Sequence, residues 1–102
     1  MDWKEIYKSL ELTQGRKLIS KYEFSLDKVK SPVITIYLWE QLNGLFFATT
    51  DYSVQNGSQN TPHREKNPHS IADEALRFAI QSITMWIQEP FDSIQFIKEE
   101  YV

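Results

Sequence analysis

Four side chains that can carry positive charge lie close together in one polar segment of this chain. They are His63, Arg64, Lys66 and His69, and the hydroxyl of Ser70 follows them directly. The segment 55–69 has no apolar side chain except its prolines, and long connections in small domains are often functional. If a helix begins at residue 70, its free N–H groups and partial positive charge attract anions. These residues therefore predict a site for a phosphate, a carboxylate or a nucleotide-like molecule.

The opposite interpretation of this segment is a solvated surface loop. Asp73 and Glu74 lie in the first turn of the predicted helix, where their charges offset the field that would attract an anion. An anion site would also need Arg64 and at least one histidine to converge on one pocket. The sequence leaves both interpretations open.

The histidines do not by themselves indicate a metal site or catalysis. His63 and His69 are six residues apart in the predicted loop, whereas a helical metal pair is usually spaced i, i+4. A general base at either position lacks a nucleophile, and the sequence contains neither a phosphate-binding glycine loop nor a nucleophile elbow. Glu40 and Asp51 are not neighbours in the predicted strand pairing. We therefore predict no catalytic residue, no metal and no cofactor.

A second candidate surface comes from a long β-hairpin over residues 33–54. β-Branched and aromatic residues are frequent in this stretch, and they are the types that suit a pleated sheet. Asn43-Gly44 lies between its two apolar halves and favours a two-residue type I′ turn. That turn places Trp39 opposite Ala48, and the alternation of side chains then sorts the hairpin into two faces.

The predicted hairpin has one aliphatic face and one aromatic face. The aliphatic face carries Ile34, Ile36, Leu38, Leu42, Leu45 and Phe47. The aromatic face carries four rings, from Tyr37, Trp39, Phe46 and Tyr52. A single helix can cover only one face, and exposed aromatic surface usually marks a contact with another protein. Two alternatives stay open: the N-terminal helix covers the rings through Trp3, Tyr7 and Leu10, or a second copy covers them in a homodimer.

Helical and strand patterns flank the hairpin. Residues 2–11 place their apolar side chains on one helical stripe, and residues 16–26 alternate as a half-buried strand. The side chains predicted to face the core from this strand are Leu18, Tyr22, Phe24 and Leu26. Residues 93–98 favour a further strand, although the same tail also fits a helical stripe.

Residues 70–88 predict the longest helix of the chain. It begins with a capping box variant at Ser70 and Asp73, is apolar over most of its circumference, and ends before Pro90. We expect it to lie across the sheet. The element order α-β-β-β-α-β therefore predicts one α+β domain over residues 1–102. It consists of a three- to four-stranded antiparallel meander packed by one long helix, with a short N-terminal helix.

Composition narrows the class of protein. The 102 residues are 25% charged and 41% hydrophobic, as in an ordinary globular domain. The net charge of −3 disfavours binding to a nucleic-acid backbone, although exposed rings could stack on bases. The chain has no cysteine, no signal-like start, and no apolar run near the ~18 residues of a membrane span. We expect a cytoplasmic protein that does not contact membranes.

The layout of meander, Gly/Asn/Pro-containing loop and helix resembles one known group of proteins. The helix text SIADEALRFAIQSI, together with the strand pattern before it, is similar to HicB-type antitoxins and other small accessory proteins of bacteria and their phages. The resemblance covers roughly half of the chain and implies a compact binding protein. No functional residue is carried over, because no family motif is matched residue by residue.

These observations together predict a small non-catalytic binding protein. The first interpretation is a protein-interaction module of the inhibitor, antitoxin or immunity type, which uses the aromatic face to bind another protein or a second copy of itself. The alternative is a protein that sequesters an anionic, nucleotide-like molecule between the 56–70 segment and the helix start. In that case Tyr52 or Trp39 would stack on the bound molecule.

Overall fold

The computed structural model describes residues 2–57 and 67–99 and has an α+β fold, as the sequence predicts. The helices are α1 (Trp3–Ser9) and α2 (Ala72–Thr84), with a 3-10 turn at Phe91–Ser93. The strands are β1 (Arg16–Phe24), β2 (Ile34–Gln41), β3 (Phe46–Thr50), β4 (Tyr52–Gln55) and β5 (Gln95–Lys98). Among the described residues, neither helix has the length and apolarity that a membrane span requires.

The strands form two antiparallel sheets. Strands β1, β2 and β3 make the predicted meander in that order, while β4 pairs only with β5 in the part of the chain described. The predicted strand at 93–98 is thus present as β5, but it does not extend the three-stranded sheet. Helix α2 packs against β2 and β3, so the helix and the three-stranded sheet form the two main layers of the fold.

The turn between β2 and β3 contains three residues, so the predicted two-residue turn is wrong. The N–H of Gly44 donates to the carbonyl of Gln41 at 3.0 Å, and the N–H of Gln41 donates to the carbonyl of Leu45 at 2.8 Å. Gly44 has φ +85°, a left-handed conformation that follows a type I turn in three-residue hairpin loops. The side chain of Asn43 accepts the N–H of Leu45 at 3.0 Å and supports this turn.

The extra loop residue shifts the register of the hairpin by one. Trp39 lies opposite Phe47 and not opposite Ala48. Because side chains alternate, every β3 residue occupies the face opposite to the predicted one. Phe47 therefore joins Tyr37 and Trp39, whereas Phe46 and Ala48 face α2.

The core lies between α2 and the inner face of the sheets. One cluster of buried residues contains Ile36, Leu38, Ala48, Ala75 and Ala79, and a second contains Ile34, Val54 and Ile83. Both layers of the first cluster contribute small side chains, Ala48 from β3 and Ala75 and Ala79 from α2. The central strand β2 contributes to both clusters, so the two halves of the core are continuous along it.

Helix α2 is shorter than predicted, and less of its circumference is buried. Its N-cap is Ile71, with no capping side chain, so the predicted capping box at Ser70 is wrong. The backbone of His69 pairs with Phe46 at the edge of β3, which keeps the chain extended up to residue 71. Phe78 and Met85 are exposed. The helix therefore buries a single face.

Asp51 separates β3 from β4 and connects three parts of the fold. Its N–H donates to the carbonyl of Thr35 at 3.1 Å, and its carboxylate accepts the N–H of Thr35 at 2.7 Å. Its own carbonyl accepts the N–H of Glu99 at 2.8 Å. The carboxylate of Asp51 thus takes the place of a backbone carbonyl as acceptor, at the point where the chain stops pairing with β2 and begins to pair with β5.

We expect Asp51→Ala to lower the free energy of unfolding by about 1–3 kcal/mol, because the N–H of buried Thr35 loses its acceptor. Asp51→Asn keeps an oxygen acceptor and should retain most of the stability. Urea unfolding followed by circular dichroism measures both. If both variants lower the free energy of unfolding equally, this hydrogen bond does not account for the stability that Asp51 contributes.

The hairpin register can be tested with a charge placed on each face of β3. Ala48 is 7% exposed under α2, so Ala48→Glu should prevent folding or lower stability by several kcal/mol. Thr49→Glu, one residue further along, should fold. It should lower the free energy of unfolding by about 1 kcal/mol, because the hydrogen bond that Trp39 donates to the hydroxyl of Thr49 is lost. If thermal unfolding shows that Thr49→Glu destabilises the protein more than Ala48→Glu does, the result would support the two-residue turn.

Candidate interaction face

The predicted anion-binding segment is only partly described by the structure. His63, Arg64 and Lys66 lie outside the described residues. The backbone of His69 exchanges two hydrogen bonds of 2.7 Å with Phe46, and its ring stacks on Phe78 at 4.9 Å between centroids. Ser70 is exposed and does not cap α2. His69 therefore has a structural contact with α2, and the anion site as a whole stays a prediction.

The face of the meander opposite α2 carries a row of three stacked rings, from Tyr37, Trp39 and Phe47. From here on, the aromatic face means this observed row and not the predicted set of four rings. The centroids of Tyr37 and Trp39 are 6.3 Å apart with 26° between their planes, and those of Trp39 and Phe47 are 6.4 Å apart with 19°. Trp39 is held in place by a hydrogen bond of 2.9 Å from its Nε1 to the hydroxyl of Thr49. All three rings are half-buried. The row is thus ordered by its own contacts and still partly open to solvent.

Two cations of β1 lie over these rings. The guanidinium of Arg16 is 3.8 Å from the centroid of Trp39 and 5.9 Å from that of Phe47. The Nζ of Lys21 is 5.8 Å from the centroid of Tyr37. Cations at these distances are attracted by the ring quadrupole. A chain of net charge −3 therefore places two positive groups on its aromatic face.

A β-bulge at Ile19 explains why these side chains share one face. The register of β1 against β2 shifts between Leu18, opposite Trp39, and Ser20, opposite Leu38. Residues before the bulge therefore point to the side opposite to that expected from simple alternation. Leu18, predicted to face the core, lies on the aromatic face instead, in line with its 42% exposure.

Two of the four predicted aromatic-face residues are located elsewhere. Phe46 packs against the core cluster under α2, because of the register shift. Tyr52 belongs to β4, packs against the second core cluster, and has the Nζ of Lys98 4.8 Å from its ring centroid. Phe47 takes their place beside Trp39. The Phe46-Phe47 pair puts one ring on each face in either register, so the sequence did not indicate which of the two would be outside.

Helix α1 docks on the tip of the hairpin. Its Lys4 forms an ion pair with Glu40, and the ring of Tyr7 packs against Gly15. No residue of α1 is buried, and Leu10, which one of the two open alternatives placed over the rings, is 64% exposed. These contacts lie at the tip, so Tyr37, Trp39 and Phe47 keep part of their surface.

A pocket of about 340 Å³ lies where the aromatic face meets the hairpin tip. Its walls include Gln14, Gly15, Leu42 and Asn43, together with Arg16 and Phe47. Phe47 is also one of the three rings, and Arg16 lies over Phe47 and Trp39, so the pocket and the row of rings form one continuous surface.

Within residues 2–57 and 67–99, no three side chains of His, Asp or Glu are placed to hold a metal ion. Glu40 lies opposite Phe46 and is paired with Lys4, while the carboxylate of Asp51 is hydrogen-bonded to the backbone of Thr35. Both carboxylates therefore have structural contacts.

The chain matches no family model, no curated protein and no solved structure. The similarity to HicB-type antitoxins therefore stays an expectation from the sequence. What the protein does is inferred from the geometry of the aromatic face and of the pocket beside it.

We expect Arg16→Gln to fold normally and to lower the free energy of unfolding by about 0.5–1 kcal/mol for the lost cation–π contact with Trp39, the usual value of such a contact at an exposed site. Arg77→Gln is the matched control, since the guanidinium of Arg77 is 5.9 Å from the ring of Phe78 on α2. Urea unfolding measures both variants. A loss above about 2 kcal/mol for Arg16→Gln would show that Arg16 is mainly structural.

Proposed function

We propose that this protein is a non-catalytic interaction module that binds another protein through its aromatic face. The observation that supports this most strongly is the row of Tyr37, Trp39 and Phe47, partly exposed and flanked by two cations on the side of the sheet that α2 does not cover. The inhibitor, antitoxin or immunity type of action and the cytoplasmic setting expected from the sequence remain part of this proposal.

The composition and rigidity of this face suit a protein interface. Aromatic residues and arginine are enriched among the residues that contribute most to binding. Their side chains are already ordered here, by ring stacking and by the hydrogen bond from Trp39 to Thr49. Ordering side chains on association costs about 0.5–1.5 kcal/mol for each flexible one, so a preorganised face binds with a smaller loss of entropy.

The same geometry favours a protein partner over a single-stranded nucleic acid. Bases stack on open ring faces, but the guanidinium of Arg16 lies 3.8 Å from the centroid of Trp39 and occupies one face of that ring. Lys21 approaches Tyr37 in a similar way. The net charge of −3 also opposes the long-range attraction that a phosphate backbone requires.

We expect Trp39→Ala to weaken binding of a purified protein partner at least tenfold, because it removes the central ring of the row. The partner is first captured on the wild-type protein from its own cells, then produced separately and titrated by calorimetry. Tyr37→Ala is a second variant of the same face. Phe78→Ala is the matched control, because that ring is 39% exposed on α2; its affinity should change less than threefold.

The alternatives give different results in the same experiment. If Phe78→Ala weakens binding as much as Trp39→Ala, or if neither aromatic-face variant has an effect, the proposal is wrong. Loss of the captured material after nuclease treatment would show that a nucleic acid is bound instead. If light scattering detects a wild-type dimer that Trp39→Ala converts to a monomer, the partner is a second copy of this chain.

A further inference from the structure

One edge of the three-stranded sheet has no neighbouring strand within the described residues. Strand β1 comes first in the order β1-β2-β3, and across residues 2–57 and 67–99 it pairs with β2 alone. The N–H and C=O groups along such an edge can hydrogen-bond to an added strand. Residues 20–24 lie after the bulge at Ile19 and pair regularly with β2, and we call them the β1 edge.

The hairpin determines which backbone groups of the β1 edge point away from the sheet. The N–H and the carbonyl of Thr35 both bond to Asp51, on the β3 side of β2. Backbone groups alternate in direction along an antiparallel strand, so those of Ile36 point to β1, where Tyr22 lies opposite. The N–H and C=O of Tyr22 therefore point to β2, and those of the residues on either side of it point outward.

The two residues beside Tyr22 carry opposite charges. Lys21 and Glu23 are both exposed, and they lie on the same side of the sheet as the aromatic face, since Lys21 is opposite Tyr37. If two copies of β1 pair antiparallel about a two-fold axis at Tyr22, Lys21 of each copy lies opposite Glu23 of the other. The outward backbone groups of these residues then form hydrogen-bonded pairs, and their side chains form two ion pairs.

The nearby two-fold registers are less complementary. Centring the pair on Lys21 or on Glu23 places like charges directly opposite each other, which is destabilising. Registers centred further along include the bulge on one side or pass the end of β1 on the other. A lysine on an edge strand normally discourages the addition of a strand, but about Tyr22 each lysine meets a glutamate. The charge pattern of the β1 edge therefore favours a second copy of the same strand.

Tyr22 supplies apolar surface at the centre of this pair. It lies opposite Ile36, which is buried in the core, so its side chain is on the side of the sheet that packs against α2. The side chain is nevertheless 41% exposed. About the two-fold axis the Tyr22 rings of both copies become cross-strand neighbours in a non-hydrogen-bonded pair, where side chains are closest. Aromatic pairs of this kind stabilise antiparallel sheets.

We propose that two copies of this chain pair through the β1 edge, as antiparallel strands about a two-fold axis at Tyr22. The three-stranded sheets of the copies then join into one continuous sheet. This inference goes beyond the proposed function, because it uses an edge of the sheet and not the aromatic face. A two-fold axis perpendicular to the sheet keeps both aromatic faces on one side, so the dimer presents that face twice.

Analytical ultracentrifugation of charge-reversal variants tests this pairing. We expect the wild type to exchange between monomer and dimer with concentration. Lys21→Glu and Glu23→Lys should each raise the dissociation constant of the dimer at least tenfold, because each places like charges opposite each other. An equimolar mixture of the two variants should recover the wild-type dissociation constant within threefold, because each introduced charge then faces an opposite one.

Lys8→Glu is the matched control for the change in net charge, since Lys8 is exposed on α1. It should leave the dissociation constant of the dimer within threefold of the wild type, and circular dichroism checks that every variant is folded. The inference is wrong if the wild type stays monomeric at millimolar concentration and low salt. It is also wrong if Lys8→Glu weakens the dimer as much as Lys21→Glu, or if the mixture of folded variants does not dimerise.

Amide hydrogen exchange locates the contact in the wild-type protein without any substitution. The N–H groups of Lys21 and Glu23 should exchange at least tenfold more slowly in the dimer than in the dilute monomer, because only the dimer supplies their acceptors. The N–H of Tyr22 points to β2 in both states, and its exchange should change less than threefold. Unchanged exchange at Lys21 and Glu23 in a dimeric sample would overturn the inference.

Trp39→Ala separates this dimer from one that forms through the aromatic face. It should leave the dimer intact, and weaker binding of a different protein by this variant concerns the proposed function alone. A dimer that is lost in Trp39→Ala and kept in Lys21→Glu would contradict the inference. If the wild type alone is monomeric and Lys21→Glu abolishes binding of a different protein, the β1 edge takes a strand from that protein, and the inference is again wrong.

Discussion

The hydrogen bond from the N–H of Gly44 to the carbonyl of Gln41 sets the register on which the rest of this structure depends. It closes a three-residue turn, and the left-handed φ of Gly44 returns the chain to β3 one residue later than a two-residue turn would. Ala48 is thereby placed beneath α2, and Phe47 is placed beside Trp39. One turn thus determines both the core and the candidate site.

The aromatic face is partly exposed because the fold has one long helix for a sheet with two sides. Helix α2 covers β2 and β3 on the inner side, where Ala48, Ala75 and Ala79 belong to one buried cluster. Helix α1 docks at the hairpin tip and does not bury its own apolar side chains. After Asp51 the chain leaves the meander to pair with β5, so the outer side of the sheet gains no further layer from that strand.

The position of Arg16 on the aromatic face also results from the geometry of the strands. A regular β1 strand would place Leu18 with Tyr22 and Phe24 on the core side. The bulge at Ile19 turns Leu18 outward, and Arg16 with it, which brings the guanidinium over Trp39. The rings of this face are thereby flanked by Arg16 and Lys21.

Local sequence patterns indicated most of the elements of this protein, although the second strand of the predicted 33–54 hairpin is divided into β3 and β4. The apolar stripe of α1, the alternation of β1, the β-branched and aromatic hairpin and the long amphipathic helix correctly predicted an α+β fold, because the spacing of apolar residues differs between helices and strands. The polar stripe of α2 was also predicted correctly, since Asp73, Arg77 and Gln81 are exposed.

Register and pairing were decided by the tertiary structure. Asn43-Gly44 is compatible with turns of two or three residues, and Phe46 and Phe47 are equivalent as strand residues, so local preference does not distinguish the two registers. Packing does distinguish them, because only the three-residue turn places small Ala48 against the alanines of α2. The bulge at Ile19 and the change of partner at Asp51 likewise depend on contacts between residues distant in sequence. The sequence by itself therefore determined which elements form, and long-range packing determined which rings those elements leave exposed.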